Sequence, residues 1–263
     1  MKYGAVHCSL AAIRKAPSEK SEMVNQMLFG EHVTIHKVLR RWMYVESAYD
    51  GFSGWINSLS LIPLANDQLI HFNDKSSIVL PRLSRAVIHE KRELHIHLVP
   101  GSLLPSYDGG NGEFRLGGQR YKLDNPVEQE IMKLDRTRVI NTAFAFLNSP
   151  YLWGGKSPFG IDSPGLIQVV GKIHGVCLPR EVDQQVTYGS TVNFIEEAEP
   201  GDLAFFDDEE GKIAHAGIIV DKSSILHASG SVRIDAVDHQ GIFREDTGEY
   251  THRLRVVRNI IDP

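Results

Sequence analysis

Three patterns of apolar and polar positions follow one another along the chain. Residues 1–65 alternate in short runs: KYGAVHCSL, then a polar turn over 16–22, then VNQMLFG, EHVTIHKVL, WMYVESAY and GFSGWI. Short alternating strands punctuated by glycine predict a small all-β barrel. Residues 63–75 are polar and read as a connector. Residues 76–125 alternate again, through HIHLVPGSLLP and YDGGNGEFRLGGQRYKL, with hairpin signals at Asp108-Gly109 and Gly117-Gly118. From Asn125 the period lengthens. Ile131, Leu134, Val139, Ala143, Phe146 and Leu147 recur at helical spacing. A glycine-rich stretch follows, then a helix expected over 164–173. The tail is strand-rich, with GDLAFFD, IAHAGIIV, SILHASG, SVRIDAV and YTHRLRVV. Helix, helix and then antiparallel sheet make an α+β unit. The expected domains are therefore 1–65, 76–125 and 126–263.

Composition narrows the function classes. The 263 residues carry a net charge of -5, which gives no electrostatic case for nucleic acid. No run approaches the ~20 apolar residues of a membrane span. The start, MKYGAVHCSLAAIRKAPSEK, has no adequate apolar core for a signal peptide, so the expected compartment is the cytoplasm. Only two cysteines occur, Cys8 and Cys177, without metal-ligand spacing, and Cys177 in GVCLPRE reads as a buried structural thiol.

The chemistry concentrates in residues 149–169, SPYLWGGKSPFGIDSPGLIQV. The glycine-rich loop delivers a short side chain, Ser163, to the first turn of a helix. Asp162 or Ser163 can cap that helix, and Pro164 suits its first position because the missing N–H would be unpaired there anyway. A nucleophile so placed sits at the positive end of the helix dipole. Gly155-Lys156-Ser157 looks like the end of a phosphate-binding loop, but proline stands at 150 where the first glycine belongs. His95 and His97 share one strand face, yet no third metal ligand accompanies them. No metal or other cofactor is expected.

The 149–169 stretch resembles the core motif of the NlpC/P60 family of bacterial cell-wall peptidases. In that family a tyrosine or tryptophan and two glycines precede Asp-Cys-Ser-Gly, and the cysteine opens the helix. This chain has Ser163 in place of that cysteine and Pro164 in place of the following serine. The match runs over about 126–263. FGEHVTI, W-x-Y-V and GWI resemble bacterial SH3-like domains, and 76–125 resembles a second, divergent one. The resemblance thus implies a papain-like α+β domain preceded by two small all-β SH3-like barrels. It makes His215 the base and His227 its orienter, with Tyr151 and the backbone N–H of Ser163 as oxyanion donors. Arg180, Glu181 and Asp183 in LPREVDQQ stand where the family binds the free amine of its substrate. Glu181 would be that anchor, with Arg180, Trp153 and Asp162 beside it and Tyr49 as a wall of the groove. The implied partner is a short murein peptide with a free N-terminal L-Ala, cut between γ-D-Glu and the diamino acid.

Ser163 is the open position. A serine hydroxyl needs a base to remove its proton as it attacks, and a carboxylate normally supports the resulting imidazolium. A neutral His227 is a poorer support, and Pro164 offers no backbone N–H to an oxyanion. Three accounts stay open: serine introduced in place of cysteine, a natural muropeptide-binding pseudoenzyme, and a slow serine hydrolase.

Overall fold

A computed structural model describes residues 2–72, 77–88, 94–128 and 134–262. Ile131 of the expected helix, and Lys75 and Ser76 at the expected domain border, lie outside them. The chain divides into two compact units, Met1–Ile131 and Met132–Pro263.

In the first unit, β1 (Tyr3–Val6), β2 (Leu10–Arg14), β3 (Met23–Leu28), β4 (His32–Leu39), β5 (Trp42–Ser47), β6 (Ser53–Asn57) and β7 (Leu61–Leu64) form one antiparallel sheet. Its order is β3-β2-β6-β5-β4-β1-β7. The alternation of GAV, AAI and VTI turns Val6, Ile13, Val33, Val45 and Ile56 into one core. Next come β8 (Ile78–Val79), β9 (Ser84–Ile88), β10 (His95–Leu98), β11 (Leu103–Leu104), β12 (Glu113–Leu116) and β13 (Gln119–Leu123). β9, β10, β12 and β13 make a second sheet, ordered β10-β9-β13-β12, and β8 pairs with β11. Gly117 and Gly118 link β12 to β13 with φ of +56° and +81°, the two positive angles that a two-residue hairpin turn requires. Phe29, at the end of β3, lies edge-on to Phe114 and Tyr121 at 5.8 and 5.3 Å. The two β segments therefore share a buried cluster.

The second unit opens with α1 (Arg136–Phe144), capped by Asp135, whose carboxylate accepts from the Arg138 N–H at 2.9 Å. Val139, Ala143 and Phe146 are buried as their spacing predicts. Leu147 is exposed, because the helix ends at Phe144 and the following turn, with Asn148 at φ +67°, rotates it outward. The glycine-rich stretch forms a two-strand clip, β14 (Lys156–Ser157) against β15 (Gly160–Ile161). Then comes α2 (Ser163–Ile173), buried on nearly every side, against α1 on one flank and the main sheet on the other. A short α3 (Val182–Gln185) follows.

The main sheet contains β16 (Ser190–Val192), β17 (Leu203–Asp207), β18 (Ile213–Ile219), β19 (Ser224–Ser229), β20 (Ser231–Val237), β21 (Gly241–Arg244) and β22 (Glu249–Asn259). β22 is 11 residues long and pairs with three strands, β16 at residues 257–259 among them. Residues 249–253 pair with β21 and residues 253–258 with β17. The path β22-β17-β18-β19-β20-β21 thus returns to β22 and closes on itself. Among the described residues no helix is long and apolar enough to cross a membrane.

Candidate active site

Ser163 is the first residue of α2, and Asp162 is its cap. The Asp162 carboxylate accepts from the Gly165 N–H at 2.9 Å and the Gly154 N–H at 2.7 Å. Its Oδ2 also accepts from Arg180 Nη2 at 2.5 Å, and both side chains are buried. One carboxylate therefore ties the glycine loop, the helix start and the Arg180 segment together. Gly165 makes this possible: a Cβ there would lie 2.2 Å from the Gly155 carbonyl oxygen. Ser163 is 4% exposed.

A second group runs across three strands. His215 on β18 meets His227 on β19 through Nε2 and Nδ1 at 2.9 Å. His227 Nε2 meets Asp235 Oδ2 on β20 at 2.8 Å. Asp235 Oδ1 accepts from Arg233 Nη2 at 2.7 Å. The register explains the line. Gly217 lies opposite His227, so His215, two residues back on the same face, is its diagonal neighbour. A Cβ on Gly217 would stand 3.0 Å from the His227 Cβ, so glycine leaves room for the second ring. Arg233 lies opposite His227, and Asp235 is its next same-face neighbour on β20. His252 of β22 stacks on His215, with ring centroids 4.1 Å apart and planes inclined by 28°. Opposite Phe206 of β17 the register shifts by one residue on each side, with Ala214 the extra residue of β18 and Arg255 that of β22.

Burial dominates the protonation of these rings. It pushes His215 well below its usual 6.5, with His252 and His227 adding to the effect. Burial lowers His227 as well, against an upward pull from Asp235. His252 is lowered to about 4, again mainly by burial. The cluster is neutral near pH 7, so His215 has a lone pair with which to take a proton.

Tyr151 and His215 line the same cavity of about 1120 Å³, with His252, Ser229 and Gly230 in its wall. Tyr151 is held through its backbone: its N–H donates to the Gly230 carbonyl at 3.0 Å, and it bridges to Ile161. Burial raises its phenol pKa, as does the Asp162 charge, while Arg180 opposes. The hydroxyl therefore stays protonated and able to donate. The cavity wall does not include Ser163. α2, which Ser163 opens, packs on β18 and β19, the strands of His215 and His227.

Of the other residues expected at a site, Trp153 is 60% exposed on the glycine loop, and Glu181 is an exposed residue directly before α3. α3 packs on β18, the strand of His215. Tyr49 is half-buried in the turn between β5 and β6, in the first unit. His95 and His97 are exposed on β10. Among the described residues no group of three or more His, Cys, Asp or Glu is arranged to hold a metal. Cys177 corrects the expectation of a buried thiol: it is exposed. α2 ends in a turn at Gly175 (φ +80°), and Leu178 then fills the core while Cys177 faces outward. The sequence reading missed Asp235 and His252. For Asp235 a signal existed, since Arg233 and Asp235 place two charges on one face of the strand after SILHASG.

Residues 148–250 match the profile of the NlpC/P60 family, and residues 13–61 that of the bacterial dipeptidyl-peptidase Sh3 domain. The chain is 30% identical over 218 residues to the gamma-D-glutamyl-L-lysine dipeptidyl-peptidase of Bacillus subtilis, covering 77% of this chain and 71% of the relative. It is 26% identical over 264 residues to dipeptidyl-peptidase 6 of Lysinibacillus sphaericus, covering 90% and 93%. In fold it is similar to the crystal structure of an NlpC/P60 family protein from Bacillus cereus, with TM-score 0.80, 20% identity and coverage of 98% and 99%. Matching the family profile over 148–250 and sharing 30% identity with a relative over 77% of its own length, the chain belongs to the NlpC/P60 family.

Proposed function

We propose that this chain hydrolyses the bond between γ-D-Glu and the diamino acid in short murein peptides with a free N-terminal L-Ala, using Ser163 as a slow nucleophile. The observation that carries the reading is the hydrogen-bonded line His215–His227–Asp235. It supplies the carboxylate that a hydroxyl nucleophile needs behind its base. A serine does not preform an ion pair with an imidazolium; it needs a neutral imidazole, and burial keeps His215 neutral. The relatives' names point to the γ-D-glutamyl–L-lysine bond.

The step runs as follows. Ser163 Oγ forms a bond to the γ-carbonyl carbon while its proton passes to His215, and the carbonyl π pair moves to oxygen. The Ser163 N–H, at the positive end of α2, and the Tyr151 hydroxyl stabilise that oxyanion. His215 returns the proton to the departing amine as the C–N bond breaks, and water then releases the acyl group. Glu181 anchors the free amine of L-Ala, with Trp153 beside it. Asp162 and Arg180 underlie this surface. Residues 1–65 and 76–125 act as SH3-like modules on this reading, and no cofactor is required. Such a reaction suits peptide recycling in the cytoplasm, which cell fractionation would check.

The Ser163 position favours one second reading, a binding-only protein, because Pro164 removes an N–H beside an already weak nucleophile. Mass spectrometry of L-Ala-γ-D-Glu-L-Lys incubated with the unaltered chain, Ser163→Ala and Ser163→Cys separates them. Release of L-Ala-γ-D-Glu by the unaltered chain, its loss in Ser163→Ala and a rise in Ser163→Cys are expected. If only Ser163→Cys releases the dipeptide, the binding-only reading replaces this one.

A further inference from the structure

We infer that Asp235 is a positioning residue that fixes the tautomers of both histidines, so that Nδ1 of His215 is the atom that takes the proton. The inference rests on the reading of His215 as base, but it is carried by donor and acceptor accounting across three strands.

Asp235 Oδ1 accepts from the Arg233 guanidinium at 2.7 Å, and a carboxylate held this way can only accept. Its Oδ2 lies 2.8 Å from His227 Nε2, so that nitrogen carries the hydrogen. A neutral His227 then has a bare Nδ1, which can only accept. That Nδ1 lies 2.9 Å from His215 Nε2, so His215 Nε2 must carry a hydrogen and donate it. The remaining ring nitrogen of His215, Nδ1, holds the lone pair. The hydrogen bonds thus run in one direction, from His215 through His227 to Asp235, and no proton needs to travel along the line when His215 becomes charged. The carboxylate instead balances the charge from two residues away. Arg233 also meets Asp246, which pairs with Arg244, so the far end is braced by charges on β20 and β21 and in the turn after β21. His252 and Phe206 flank His215 from β22 and β17 without entering the line.

The decisive variant is Asp235→Asn. The fixed donor Arg233 would take the amide oxygen, turning the amide NH₂ towards His227 Nε2. His227 then carries its hydrogen on Nδ1 and donates to His215 Nε2, which leaves His215 protonated on Nδ1 and useless as the proposed base. Ring tautomers are read by two-bond ¹⁵N–¹H NMR correlations on histidine-labelled protein, with His215 and His227 assigned by substitution. In the unaltered chain both rings are expected as Nε2–H tautomers, and in Asp235→Asn both as Nδ1–H. kcat is expected to fall about 10²–10⁴-fold with KM changed by less than about 3-fold. An Nδ1–H tautomer of His215 in the unaltered chain overturns the inference, and that measurement needs no variant to fold. Unchanged tautomers and kcat in a folded Asp235→Asn overturn it too. If the tautomers shift as stated but the unaltered chain cleaves no peptide, the hydrolytic reading fails and the positioning role of Asp235 stands.

Discussion

The site rests on a few side chains whose neighbours decide what they can do. Burial alone would leave His215 a neutral ring of undefined tautomer; the hydrogen bond through His227 to Asp235 gives it an orientation. Tyr151 is suited to donate, since its phenol pKa is raised and its backbone is fixed at Gly230 and Ile161. If its hydroxyl helps to hold the oxyanion, Tyr151→Phe should lower kcat by about 10²–10³-fold with little change in folding stability. Steady-state kinetics on the γ-D-Glu–L-Lys peptide, beside a thermal melt, makes that comparison. Ser163, both histidines and Tyr151 are legible because they stand in a motif of fixed order. Asp235 was missed because a strand aspartate reads as a solvated residue until the register sets it beside His227.

At the scale of the element, the loop and helix around Ser163 depend on one buried ion pair. Asp162 satisfies two backbone N–H groups and also meets Arg180, and both side chains are nearly inaccessible. Removing one partner of such a pair strands the other charge, which costs about 3–5 kcal/mol. Arg180→Met is therefore expected to destabilise the protein by about that amount in urea unfolding, and Asp162→Asn combined with Arg180→Met should recover part of the loss. Additive losses in the double variant would show that the two residues act separately. The helix itself was readable: apolar periodicity, Asp162 as cap and Pro164 in the first turn all specify it. Its near-complete burial was not, because that depends on α1 and the main sheet closing over both sides. Leu147 and Cys177 show the same limit. Each sits just past a helix end, where one turn residue with positive φ decides which neighbour faces the core.

Across the whole molecule, the buried histidines couple folding to pH. An ordinary histidine has a pKa of about 6.5, whereas His252 is held at about 4 and His215 well below 6.5 in the fold. Below pH 6.5 the unfolded chain therefore binds more protons than the folded one, and stability rises with pH in that range. The contribution is complete above about 6.5 and is lost as pH falls towards about 4. Urea midpoints measured from pH 7.5 to 4 should decline along that window, and His252→Leu should flatten the decline. An unchanged slope in that variant would mean that His252 is not held neutral by the fold. With His215 as the proposed base, the acid limb of kcat/KM should likewise lie well below 6.5, since that ring remains unprotonated there.

By itself the sequence determined the order of β-rich and α+β segments, the glycine loop with its helix, and the presence of His215, His227 and Tyr151. These are local properties: residue period, turn chemistry, caps and motif spacing act over a few neighbouring residues. The tertiary structure decided that the two β segments share the Phe29–Phe114–Tyr121 cluster, and that β22 spans both ends of the main sheet to bring His252 over His215. It also placed Asp235 behind His227. Those pairings join separate segments of the chain through strand register and burial, and none of them is written in any one segment.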